Sequence, residues 1–298
     1  MPVPGTLRGS RHPAVHEPRL ASQLDRLYRE YDRALSDRDP VHLVRPFTRA
    51  DDREVAGFLA AGLAFGRVES VLTSIRAVLA VMGPRPATFV RRFDPSRDAR
   101  AFGPFVHRWT GARDVVALVW LLRQMLEEAG TLEAFFARGF APDAADVGPA
   151  LEDFSRRARA LDVRRVYGRM RSRAGVWYFF PRPSTGSACK RLNLYLRWMV
   201  RCDAIDLGVW RFVPASALVV PLDTHVIRVG RCLGLTRYRS PGWRMAADIT
   251  ASLRRLNPAD PVRYDFSLCR LGMKQHCGFD SPRGDAGCPL RGLCRPHG

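Results

Sequence analysis

The chain has 298 residues, 46% of them hydrophobic, and 48 Lys and Arg against 29 Asp and Glu give it a formal net charge of +19. That apolar content excludes global disorder, and the length suits one large domain or two moderate ones. No apolar run approaches the roughly 20 residues a bilayer span needs, and the polar stretch 1–19 has no signal-peptide core, so a cytoplasmic protein with no membrane partner is expected. The basic excess points to a polyanion, because Arg and Lys that neutralise phosphates release condensed counterions.

The periodicity is helical almost throughout. After a flexible N-terminal arm (1–19), Leu20, Leu24, Leu27, Tyr28, Tyr31 and Leu35 fall on one face of a helix over 20–35. Asp51, Asp52 and Glu54 lead acid-first into a helix over 55–65, as the helix dipole favours, and Gly66 breaks it before a second helix over 67–82. Gly83-Pro84-Arg85-Pro86 closes that segment. Helices are expected over 112–129 and 151–161, then an irregular aromatic and arginine-rich connection over 167–183. Its Tyr167, Trp177, Tyr178 and Phe179 suit either a core or a surface on which a base stacks. Further helices are expected over 188–200, 223–233, 241–256 and 261–272, the last two starting with Pro after the capping residues Ser240 and Asp260. The fold class is all-α, in two helical lobes, one spanning about 50–200 and the other joining both ends of the chain.

Lysine occurs only at 190 and 274, so 46 of the 48 basic residues are arginine. Arginine cannot be deprotonated at usable pH, whereas a desolvated lysine can attack a sugar carbon and form a Schiff base. Lys190 lies in Gly186-Ser187-Ala188-Cys189-Lys190, where it serves equally as a phosphate-contacting cation. Asp223 opens Asp223-Thr224-His225-Val226-Ile227-Arg228-Val229 as a good helix N-cap. Capping is compatible with catalysis, because it keeps a carboxylate fixed and ionised. His225 and Arg228 follow in the first turns, where phosphate is favoured.

Gly186-x-Ala188-x-Lys190-x-x-Asn193 with Pro221-Leu222-Asp223-Thr224-His225-Val226 resembles the helix-hairpin-helix DNA glycosylases of the endonuclease III superfamily. The run 197–201 looks closer still to an uncharacterised prokaryotic family within it. The resemblance implies a two-lobed glycosylase-like domain over 20–264. Its partner would be double-stranded DNA carrying a damaged or mismatched base, and the protein would act as a nucleoid-associated monomer in base excision repair. It implies a backbone-binding hairpin at Gly186, Ser187 and Ala188, with alanine in place of the second glycine. It also implies Lys190 as nucleophile of a DNA glycosylase with AP lyase activity, and Asp223 as its partner carboxylate. The connection from lysine to aspartate is longer than in endonuclease III. The turn at Phe65 and Arg67 would fill the hole left by a flipped base, unless Phe65 is core and Arg67 solvated. The superfamily's [4Fe–4S] cluster would sit in the cysteine-rich segment 265–298, on Cys277, Cys288 and Cys294. Cys269, Asp285, His276 or His297 would complete the set, with zinc or no metal as alternatives. Cys189, Cys202 and Cys232 read as small core residues. A non-catalytic nucleic-acid-binding protein is the alternative function.

Overall fold

The computed structural model describes residues 17–30, 39–170, 174–273 and 287–293. The arm's first sixteen residues, Lys274, His276, Cys277, Asp285, Cys294 and His297 lie outside them.

The described chain is all-α apart from one small hairpin. In order it runs α1 (Glu17–Glu30), α2 (Ala50–Gly62), α3 (Val68–Met82), α4 (Pro86–Arg92), α5 (Pro95–Asp98), β1 (Val106–His107), β2 (Thr110–Gly111), α6 (Ala112–Ala129) and α7 (Leu132–Ala137). It continues with α8 (Gly148–Ala160), α9 (Arg164–Tyr167), α10 (Lys190–Val200), α11 (Thr224–Cys232), α12 (Trp243–Leu256) and α13 (Asp265–Met273). Among the described residues no helix is long and apolar enough to cross a membrane.

Central α2 is buried on nearly every side from Asp52 to Gly62, packing on α10, α4 and α7. Gly57 makes the α10 approach possible: a Cβ there would come within 2.8 Å of Met199 Cε. The expected acid-first start is present, but its carboxylates serve other helices. Asp52 Oδ1 accepts the amide of Ala87 at the start of α4. Glu54, 3% exposed, accepts the amides of Leu132 and Glu133 at the start of α7 and the Trp210 indole N–H at 2.7 Å. A buried donor or acceptor left without a partner is costly, so each is matched. Burial raises the Glu54 carboxyl above its usual range, against those three donors.

A second group is built on α11 against α13, with α1 lying on α12 and α13. Buried ion pairs tie α10 to it. Arg197 Nε donates to Asp206 at 3.1 Å and its Nη1 donates to Asp265 of α13. One turn later Arg201 pairs with Asp203, Asp206 and Asp260.

Several boundaries differ from the sequence reading. The second helix ends at Gly62, so Phe65 sits in the following turn and not in the helix. Neither proline-led start holds: α12 begins at Trp243 after Gly242, and α13 begins at Asp265. Asp260 fails to cap because its carboxylate is held by Arg201. Cys202 is exposed just past α10, not in the core, and Cys232 is half-buried, whereas Cys189 is buried as expected.

Candidate functional site

Two clusters hold the expected site residues. The first forms where the turn after α2 meets the start of α10. Lys190 is the first residue of α10, half-buried, with Nζ 3.5 Å from the carbonyl of Ala64. Arg191 turns inward beneath it, donating to the carbonyls of Gly62 (2.8 Å) and Tyr178, and its guanidinium lies 3.6 Å from the Tyr178 ring centroid. Burial lowers Arg191 to about 10, which leaves it a cation at neutral pH. Phe65 is half-buried against Tyr178, His107 and Trp109, while Arg67 is exposed as the residue before α3. Of the four aromatics from the 167–183 connection, Tyr167, Trp177 and Phe179 are core, and only Tyr178 reaches this surface.

Leading into α10, Gly186 has φ +81°, a left-handed backbone that suits glycine. Ser187 Oγ accepts the amide of Cys189 at 3.2 Å. The second left-handed residue of this turn is Cys189 (φ +49°), not Ala188. The Gly186 carbonyl accepts the Trp243 amide at 3.2 Å, which fixes this turn to the start of α12. A Cβ on Gly242 would come within 2.7 Å of that carbonyl oxygen.

Asp223 anchors the second cluster as the N-cap of α11. Its Oδ1 accepts the Val226 amide at 2.7 Å, and its Oδ2 accepts the Cys269 thiol at 3.1 Å. His225 packs so closely on Gly272 that a Cβ there would come within 2.6 Å of its own Cβ, and its Nδ1 is buried without a hydrogen-bond partner. Arg228 is exposed one turn further along α11. Behind Cys269, Asp265 is buried with Oδ1 unpartnered. Burial and the nearby Asp223 and Asp206 charges raise Asp265 to about 7, against the pull of Arg197. Burial, then Asp223 and Asp265, hold the Cys269 thiol well above its usual range, so it stays protonated and donates.

The two clusters are built on different helix starts, α10 and α11. Among the described residues no hydrogen bond or ion pair joins Lys190 to Asp223. The connection runs through α10: Arg197, seven residues or about 10 Å along the helix from Lys190, grips Asp265, and Cys269 one turn beyond Asp265 grips Asp223.

The family of DUF2400 proteins, described as proteins of unknown function, matches residues 39–274. The chain belongs to the DUF2400 family. Neither a curated protein nor a solved structure matches it.

Only part of the expected metal set of this DUF2400 chain falls within the described residues. A cluster ligand must be a thiolate, and the Cys269 thiol here donates to Asp223, so holding a metal there would mean giving up its proton and that hydrogen bond. Cys288 is buried, while Cys277 and Cys294 lie outside the described residues. Among the described residues no three His, Cys, Asp or Glu side chains are grouped to hold a metal. Sequence reasoning also missed Arg191, Arg197 and Arg201 as interior cations, all under 10% exposed. The four-residue spacing of Arg197 and Arg201 on a helix otherwise bounded by Leu, Trp and Met was the available signal.

Proposed function

We propose that the protein is a DNA glycosylase that extrudes a damaged or mismatched base from double-stranded DNA and cleaves its N-glycosidic bond, with AP lyase activity supplied by Lys190. The observation that carries the reading is the Asp223 carboxylate, held by one amide and one thiol at a helix N-terminus. A carboxylate fixed in this way is preorganised for the positive charge that develops on the sugar as the C1′–N bond breaks and its electron pair leaves with the base. Either of two nucleophiles then bonds to C1′. Water does so by giving its proton to Asp223. Lys190 does so by losing its amine proton and opening the sugar ring to an imine, after which loss of a C2′ proton expels the 3′ phosphate. The Gly186 turn, Arg228 and the excess of arginine would hold the DNA backbone.

The lack of a direct Lys190–Asp223 contact favours a second reading, a nucleic-acid-binding protein without catalysis. Assays across duplexes bearing a panel of damaged bases separate the two. Asp223→Asn keeps the cap's acceptor oxygen but removes the charge, and should fold normally while base release falls by about two to four decades. Borohydride should trap abasic-site DNA on wild type and not on Lys190→Arg. No base release from any duplex by the folded wild-type protein would defeat the enzymatic reading.

A further inference from the structure

The two-residue turn between β1 and β2 presents Arg108 and Trp109 in an arrangement that neither core packing nor helix capping explains. His107 anchors the base of the hairpin. It is 3% exposed, its Nε2 donates to the Phe65 carbonyl at 2.9 Å, and its Nδ1 accepts from Ser74 Oγ at 2.9 Å. Burial keeps this histidine below its usual range and therefore neutral. Beyond the anchor the chain turns outward. Arg108 takes φ +56°, a left-handed backbone that a residue with a side chain adopts only under strain, and Trp109 is 58% exposed. An indole left so open forgoes much of the burial that usually stabilises tryptophan.

The rings around it are ordered. Trp109 lies on Phe65 with centroids 4.9 Å apart and planes 25° apart, and Tyr178 stands edge-on to it at 5.1 Å. Arg108 reaches over the Trp109 ring at 5.8 Å, and Arg191 supports Tyr178 from behind. One face of Phe65 is thus covered by the indole, which is itself 58% exposed with the Arg108 guanidinium near its ring. A planar aromatic stacked on such a ring, with its phosphate against the arginine, is how proteins hold unpaired bases.

We propose that the hairpin tip is a stacking platform for one unpaired nucleobase, with the base on Trp109, edged by Tyr178, and its phosphate on Arg108. The assignment rests on nucleic acid being the ligand, and it places base contact on the hairpin rather than on Phe65 itself, which serves as the ring beneath Trp109. The test is fluorescence anisotropy with two labelled duplexes, one fully paired and one carrying a single bulged base. Wild type should bind the bulged duplex more tightly. Trp109→Ala should lose that preference by roughly 5- to 150-fold, the range expected for one stacked base, while affinity for the paired duplex stays unchanged. Trp109→Phe should restore most of it, and because the side chain is largely exposed, each variant's circular dichroism should match wild type. A preference that survives Trp109→Ala, or an equal loss on both duplexes, overturns the platform and leaves DNA binding standing. Failure of wild type to bind either duplex overturns the nucleic-acid reading as well.

Discussion

Replacing Arg197 by methionine should be among the most destabilising single changes in the chain. The guanidinium is 3% exposed and faces Asp206 at 0% and Asp265 at 4%, with Asp39 at 4.0 Å. Methionine fills much of the volume but strands Asp265 in the interior and leaves Asp206 with Arg201 alone. Breaking a buried ion pair from one side costs about 3–5 kcal/mol, against a total stability of about 5–15 kcal/mol for a folded chain. The loss should depend on pH, in a direction the neighbouring groups set. Burial already raises Asp206 to about 6 and Asp265 to about 7 while Arg197 is present. Without it both rise further, so mild acid neutralises the stranded charges. Urea unfolding followed by circular dichroism should show the full loss at pH 8 and a clearly smaller one at pH 5.5. A loss under about 1 kcal/mol at pH 8 would show that Arg197 contributes little to stability, far below the scale for a buried pair. An equal loss at both pH values would show that the carboxylates are not what it neutralises.

Three other outcomes are expected. Duplex binding should weaken steeply with salt, log K against log salt having a slope of about −0.9 for each phosphate contacted, and a flat titration would leave the +19 charge without a polyanionic ligand. Asp265 binds its proton more tightly folded than unfolded, so its contribution is complete below about pH 4 and is lost as the pH rises through 7. Asp265→Asn, fixed in the neutral form, should therefore gain melting temperature relative to wild type between pH 5 and pH 8, and a constant difference would contradict the raised carboxyl. Anaerobically purified protein should absorb broadly near 400 nm if the remaining C-terminal cysteines hold iron and sulfide, on the order expected for thiolate-bound clusters. Cys269→Ser should leave that band in place, because the Cys269 thiol is directed at Asp223.

Helices whose apolar residues repeat at three and four were readable from the chain alone. The helix over 112–129 has the expected ends because Gly111 and Gly130 bracket an uninterrupted run. Boundaries failed where a capping side chain had a stronger partner elsewhere, as Asp260 does in Arg201. The short hairpin was not readable, since two-residue strands carry no alternation to detect. Asp223 as an N-cap was legible because capping is local, and its Oδ1 accepts from Val226 three residues on. Its bond to Cys269, 46 residues away, was not, because it joins parts of the chain that only the fold brings together. Net charge likewise says nothing of where each cation sits. It counts Arg191, Arg197 and Arg201 with the rest, although all three are interior and matched to carbonyls or carboxylates.

The carboxylate of Glu54 links parts of the chain that are far apart in sequence. It holds the first amides of α7 and the indole of Trp210, and Glu133 of α7 in turn holds the amides of Arg211 and Phe212. Opening any one of these segments strands acceptors or donors belonging to the other two. Their amide hydrogens should therefore exchange with solvent together, as one cooperative unit that opens only when α2 leaves its place, and not as three independent fraying segments.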